Sequence, residues 1–256
     1  MLELRAGLSL ELPTSEARHG RGLFETILVR GGRALRLDWH LERLASGAAY
    51  LGLEAPPRAL EVEAFAGRLG LEGLAEGVLR LFAVDGLLAL DLSSGLPPLP
   101  ASREADLSRN LRRWSGSPLC RFKTLSYLEN AELGREAEAR GLLEVVALNE
   151  GGRLTDGGRT SLFVQIGGEL LTPPVSEGAL PGTLRRLILE RGLAREAPLA
   201  PADLEGAEAA FLTNALRLVL PLEAFGTRRL DPEAPLVSEA RALALAESSP
   251  EASRRS

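Results

Sequence analysis

Leu119-Cys120-Arg121-Phe122-Lys123-Thr124-Leu125-Ser126-Tyr127-Leu128 holds the only lysine of the chain, Lys123, against 29 arginines. On a solvated surface arginine serves as well as lysine, since either is only a charge. It fails where a side-chain amine must lose its proton and attack a carbonyl, because a guanidinium stays charged. On the count alone, a single retained lysine is either a nucleophilic amine or the survivor of an arginine-biased genome.

The bulk numbers narrow the setting. At 256 residues the chain has room for one large domain or two of about 100–150 residues. Apolar residues make up 45% and charged residues 25%, ordinary for a globular protein. A formal net charge of −5 offers no broad basic surface for nucleic acid. Apolar runs such as Leu142–Leu148 are far too short to cross a bilayer, and Met1-Leu2-Glu3-Leu4-Arg5 lacks the apolar stretch of a secretory signal. Lone Cys120 excludes an internal disulfide and a cysteine-based zinc site. A cytoplasmic protein without a metal site is expected.

Working outward from Lys123, the pattern alternates between strands, hairpins and helices. Leu23–Arg30 reads as a strand, Gly31-Gly32 as a hairpin turn and Arg33–Leu37 as the return strand. Asp38 is placed to cap a helix with apolar positions Leu41, Leu44, Ala48 and Leu51. A second helix follows Pro56-Pro57, from Arg58 to about Leu69. Val78–Val84 and Leu87–Leu92 form a hairpin across Asp85-Gly86. Downstream come a strand near Asp106–Trp114, a helix over Thr124–Arg140 and strands at Glu144–Asn149 and Arg153–Thr155. A hairpin of Ser161–Ile166 with Glu169–Thr172 follows, then a helix over Thr183–Arg191. Strands at Ala209–Thr213 and Arg217–Leu220 and a helix over Leu236–Ala246 complete the pattern, with a frayed tail from Glu247 to Ser256. The expected division is an N-terminal α+β domain, 1–92, a Ser/Pro/Gly-rich linker, 93–105, and a C-terminal α/β domain, 106–256, carrying the lysine.

Five stretches, in order, resemble the fold-type IV family of pyridoxal-phosphate enzymes. They are Gly22-Leu23-Phe24-Glu25-Thr26; His40-Leu41-Glu42-Arg43-Leu44; Lys123-Thr124-Leu125-Ser126-Tyr127-Leu128; Thr155-Asp156-Gly157 with Leu162-Phe163; and Pro181-Gly182-Thr183-Leu184-Arg185 followed by Phe211-Leu212-Thr213-Asn214-Ala215-Leu216. The family holds branched-chain and D-amino-acid aminotransferases and 4-amino-4-deoxychorismate lyases. The resemblance spans about Gly20 to Leu222. It implies a two-domain α/β (α+β) fold like that of D-amino-acid aminotransferase, a site between the domains, and a homodimer.

The same resemblance implies the site residues. Lys123 takes the Schiff-base position and afterwards moves protons. Arg43, Thr183, the Leu184 amide, Asn214 and Ala215 surround the cofactor phosphate; a helix start suits that group in its own right. From position alone, Tyr127, four residues after Lys123, is expected to contact the cofactor phenolate or to pack, and Thr26 to assist proton delivery. Asp156 stands where the family has Glu opposite the pyridine nitrogen, one methylene shorter. The family's acidic residue before Gly22 is Arg21 here, and the usual Arg-Gly segment after Val84 is reduced to Asp85-Gly86. Cations for substrate carboxylates then fall to Arg21, Arg159 or Arg217, with Asn214 also meeting the substrate. His40 and His19 are expected to be structural.

The Lys-Thr-Leu-x-Tyr-Leu and Asn-Ala-Leu runs look most like the lyases. The implied reaction is conversion of 4-amino-4-deoxychorismate to 4-aminobenzoate and pyruvate. The alternative is an aminotransferase acting on branched-chain or D-amino acids; a scaffold without catalysis is the third reading.

Overall fold

The computed structural model describes residues 3–6, 19–84 and 86–248. The chain divides into two compact units. One comprises Met1–Pro97, Phe122–Tyr127 and Ser248–Ser256; the other comprises Pro98–Arg121 and Leu128–Glu247.

The first unit is built on a five-stranded sheet ordered β1-β5-β4-β2-β3. Its strands are β1 (Glu3–Ala6), β2 (Leu23–Arg30), β3 (Arg33–Ala34), β4 (Glu76–Val84) and β5 (Leu87–Ser94). Only the β1–β5 pairing is parallel. Along β2 the period of two sends Leu23, Glu25, Ile27 and Val29 to one face and Phe24 and Thr26 to the other. Helix α1 (Leu37–Leu51) covers the first face with Leu37, Leu41, Leu44 and Ala48. Complete burial of residues such as Ile27 and Leu79 stabilises this core by about 1.5–3 kcal/mol each. Helix α2 (Ala59–Arg68) adds Val62 and Ala66.

The Lys123 segment belongs to this unit rather than to a C-terminal domain. β2 pairs with β4 along its whole length but with β3 only at Val29 and Arg30. That leaves one edge of Leu23–Thr26 for another strand, and Lys123–Leu125 takes it. Phe24 N–H donates to Lys123 O at 2.8 Å, and Leu125 N–H donates to Gly22 O at 2.9 Å. The expected helix over Thr124–Arg140 therefore begins only at Leu128, because Thr124 is bridged to Leu23 as a strand.

In the second unit, one sheet runs β15-β14-β6-β7-β8 and the other β11-β10-β9-β12-β13. The first contains β6 (Glu104–Arg113), β7 (Glu144–Asn149), β8 (Leu154–Gly157), β14 (Ala224–Phe225) and β15 (Arg228–Arg229). The second contains β9 (Ser161–Ile166), β10 (Glu169–Thr172), β11 (Arg195–Glu196), β12 (Ala209–Asn214) and β13 (Leu218–Pro221). Both faces of β7 are buried. Val146 joins Leu162, Val164, Ala210 and Leu212 in the main core, while Val145 and Ala147 pack on Leu133 and Ala137 of α3 (Leu128–Ala139). Helices α4 (Thr183–Glu190) and α5 (Pro235–Ala246) complete the unit.

Several boundaries differ from the sequence reading for local reasons. The return strand ends at Ala34, since Arg36 adopts a left-handed conformation (φ 54°) and Leu37 is already helical. Asp38 thus sits in the first turn of α1, favourable to the helix dipole, and does not cap it. The strand expected at Arg153–Thr155 is shifted to Leu154–Gly157. The connection after β5 is shorter than 93–105, running only from Gly95 to Arg103. Within the expected tail, Ser248 is buried and accepts a hydrogen bond from Arg36 at 3.1 Å; 249–256 lie outside the described residues, as does Asp85.

Candidate functional site

Lys123 is held against aromatic rings. Its Nζ lies 4.2 Å from the Phe24 ring centroid, 4.8 Å from that of Tyr127 and 3.5 Å from the Tyr127 hydroxyl. The two rings meet edge to face at 4.9 Å. Ring faces carry negative charge and attract an ammonium, so the pair holds the amine in place. Thr26 follows two residues after Phe24 on the same face of β2, and the register sets Thr26 opposite Arg80 of β4. Arg80 donates to Asp91 at 3.0 Å and to Ser93 at 3.2 Å.

On the other face, Glu25 is fully buried among apolar neighbours. Arg43 donates from Nε to Oε1 at 2.8 Å and from Nη2 to Oε2 at 2.6 Å. His40 Nδ1 lies 2.7 Å from Oε2; a carboxylate can only accept, so Nδ1 carries the proton. Burial pushes Glu25 up, but the Arg43 charge and the hydrogen bonds from Arg43 and His40 outweigh it, and its pKa falls to about 2. Burial lowers His40 despite Glu25, so the imidazole stays neutral, while Glu25 more than offsets the burial of Arg43 and raises it. Tyr127, whose hydroxyl lies 3.5 Å from Lys123 Nζ, also favours the charged form of Arg43.

The second unit gathers a carboxylate and a helix start. Asp156 on β8 is buried, and its Oδ2 accepts the Leu180 N–H at 2.9 Å. Its Oδ1 lies 2.8 Å from Arg113 Nε as an ion pair without a well-aligned hydrogen bond, leaving this oxygen with acceptor capacity. Burial raises Asp156, against Arg113 and the Leu180 amide. Arg113 also donates to Gly157 O at 3.2 Å. Leu180 leads directly into Gly182 and α4, whose first residue is Thr183 and whose second, Leu184, is buried. A Cβ at Gly182 would stand 2.9 Å from Ser161 Oγ, so the helix start lies tight against β9. Ser161 is in turn paired with Thr213. Asn214 Oδ1 accepts the amides of Leu216 and Arg217 at 3.1 and 2.8 Å, shaping the turn that contains Ala215.

Buried Glu144 braces this region by accepting from Thr160 Oγ1 at 3.1 Å and the Arg159 amide at 3.2 Å. A Cβ on Gly157 would meet Glu144 Cγ at 2.5 Å and Thr160 Oγ1 at 2.6 Å. Gly157→Ala is therefore expected to cost about 1–3 kcal/mol by overpacking. Thermal denaturation checks it, and an unchanged midpoint would contradict this packing.

The expected substrate arginines are placed less favourably. Arg21 donates twice to Leu51 O, at 3.0 and 2.7 Å, at the end of α1. Arg159 is exposed, its guanidinium beside Gly134 of α3. Arg217 is half-buried at the Asn214 turn. His19 contributes its carbonyl to Ser126 Oγ at 3.1 Å. Sequence reasoning passed over Glu25, Arg80 and Arg113. Strand alternation alone puts Glu25 inward between Leu23 and Ile27, which demands a cationic partner; Arg80 needed the β2–β4 register and Arg113 the tertiary fold.

In the first unit an amine suits an aldehyde and a guanidinium a phosphate; in the second, a buried carboxylate can accept from a protonated pyridine nitrogen and a helix start suits a phosphate. Among the described residues no group of three or more His, Cys, Asp or Glu side chains could hold a metal ion, and no helix is long and apolar enough to cross a membrane.

Residues 22–225 match the amino-transferase class IV family model, and the chain belongs to that family. It is 29% identical over 251 residues to the bifunctional aminodeoxychorismate lyase / D-amino acid transaminase of Mycobacterium tuberculosis, with 86% of each chain covered. It is 27% identical over 226 residues to the aminodeoxychorismate lyase of Bacillus subtilis, covering 79% of this chain and 77% of the relative. Among solved structures, the PLP-bound form of a hypothetical aminotransferase from Mycobacterium tuberculosis superposes with a TM-score of 0.74 at 27% identity, covering 93% and 94% of the two chains. The fold is that of the fold-type IV enzymes.

Proposed function

We propose that this protein is a pyridoxal-phosphate-dependent lyase that converts 4-amino-4-deoxychorismate to 4-aminobenzoate and pyruvate. The observation that carries the reading is the chain's sole lysine, its Nζ fixed between Phe24 and Tyr127. The cofactor is pyridoxal phosphate. Lys123 would hold its aldehyde carbon, Asp156 its ring nitrogen through Oδ1, and Arg43, Thr183, the Leu184 amide, Asn214 and Ala215 its phosphate. When bound, it supplies an electron-withdrawing ring conjugated to the substrate amine.

The work left to the chain is proton transfer and positioning. Lys123 takes the proton from the amine-bearing carbon. The bond from the neighbouring ring carbon to the enolpyruvyl oxygen breaks, and its electron pair leaves with that oxygen. The departing enolpyruvate gains a proton to become pyruvate, and the remaining ring is aromatic. Tyr127, 3.5 Å from Nζ, orients the amine, and Thr26 assists proton delivery to the leaving group. Arg80, opposite Thr26, supplies a cation for a substrate carboxylate. A homodimer in the cytoplasm is part of this reading.

The lyase is favoured over amino transfer by the Lys123–Leu128 and Asn214–Leu216 runs and by the two lyase relatives. The bifunctional relative supports a second reading, in which a D-amino acid is also accepted. Purified holoprotein given saturating 4-amino-4-deoxychorismate is expected to release pyruvate and 4-aminobenzoate in equal amounts. Absence of both products, with efficient amino transfer to 2-oxoglutarate, rejects the lyase.

A further inference from the structure

We propose that Glu25 is a positioning residue for phosphate recognition, aiming the Arg43 guanidinium at the cofactor; this rests on the pyridoxal-phosphate reading above. The β2 alternation would be satisfied by another aliphatic residue between Leu23 and Ile27, and burying a carboxylate there is unfavourable unless it is paired. Both of its oxygens are held by α1, through residues three apart on one helix face. Arg43 presents Nε and Nη2, one edge of its planar fork, and two parallel bonds to a carboxylate fix both the plane and the direction of that fork. His40, protonated on Nδ1, grips Oε2 from another side and stops the carboxylate from turning. A single-point contact would leave the arginine free to swing; this one does not.

The position of the fork relative to the amine supports the same assignment. Glu25 is flanked in sequence by Phe24, whose ring carries Lys123 Nζ, and by Thr26. Tyr127 touches Phe24 edge to face and lies beside Lys123 Nζ. Adjacent residues of one strand thus hold the two cations, Glu25 the guanidinium and Phe24 the amine. The carboxylate acts through Arg43 and touches no ligand itself.

The test separates phosphate recognition from general integrity. Apoprotein is titrated with pyridoxal phosphate and, separately, with pyridoxal, which has the same aldehyde and no phosphate, following the absorbance change on capture. Glu25→Asp keeps the charge but draws the fork back by one methylene. It is expected to weaken pyridoxal phosphate by about tenfold or more, the scale of a charge-assisted hydrogen bond, while pyridoxal stays within about twofold. His40→Gln, which leaves the ion pair but loosens its grip, is expected to give a smaller loss with the same selectivity, and it serves if the Asp variant does not fold. Equal losses for both aldehydes, or no change for either, overturn the assignment. If the parent captures pyridoxal phosphate and both variants match it, only the role of Glu25 falls; if the parent captures neither aldehyde, the cofactor reading falls with it.

Discussion

Lys123→Arg is expected to yield a folded protein that captures no pyridoxal phosphate and forms product at least about 10³-fold more slowly than the parent. The substitution keeps a cation for the Phe24 and Tyr127 rings, so the aromatic contacts that hold the side chain survive. What is lost is the ability to shed a proton and attack a carbonyl. No other lysine is present to substitute, and the chain's remaining amine is its N-terminus. Borohydride reduction of the parent holoprotein, followed by peptide mapping, is expected to place the pyridoxyl group on Lys123. A label elsewhere, or turnover retained in the arginine variant, would refute the enzymatic reading.

Glu25→Gln is expected to cost about 3 kcal/mol at pH 7, because it strands the buried Arg43 charge. The pH dependence follows from the lowered carboxylate. Its folded pKa is about 2 against an ordinary 4.5, so its stabilisation is complete above pH 4.5 and is lost as pH falls through 2. The gap between parent and variant should therefore be widest near neutrality and narrow from pH 4.5 downward. Neutral His40 adds to the same acid lability, since protonating it when folded is disfavoured. Melting temperatures of the apoproteins at pH 7 and pH 3.5 measure this; a gap that stays constant or widens in acid would contradict the paired Glu25.

The parts of the molecule governed by local pattern were legible in the sequence. Strand β2, the Ser161–Ile166/Glu169–Thr172 hairpin and the helices over 37–51 and 183–190 announce themselves by period and by glycine turns. The misread boundaries have two origins, a partner distant in sequence or a local turn of the backbone. Thr124 has the composition of a helix start, yet the edge of β2 claims it as a strand residue. Leu37 reads as strand until the left-handed Arg36 turns the chain into α1. The site follows the same division. Lys123, Tyr127, Arg43 and Asp156 stand in recognisable motifs, and the structure adds the partners of the last two, Glu25 and Arg113. The pairing of Arg80 with Thr26 was not legible, because it depends on the register of two strands some fifty residues apart.

The discontinuity of the first unit has a consequence for biosynthesis. Strand β2 emerges from the ribosome about a hundred residues before the segment that covers its edge, and Ser248, hydrogen-bonded to Arg36, comes last of all. A nascent fragment ending near Pro97 would expose an unfinished strand edge suited to pairing with another chain. Expression of that fragment by itself should favour aggregation, and synthesis of the intact polypeptide would depend on the reactive lysine's own strand arriving to seal the gap.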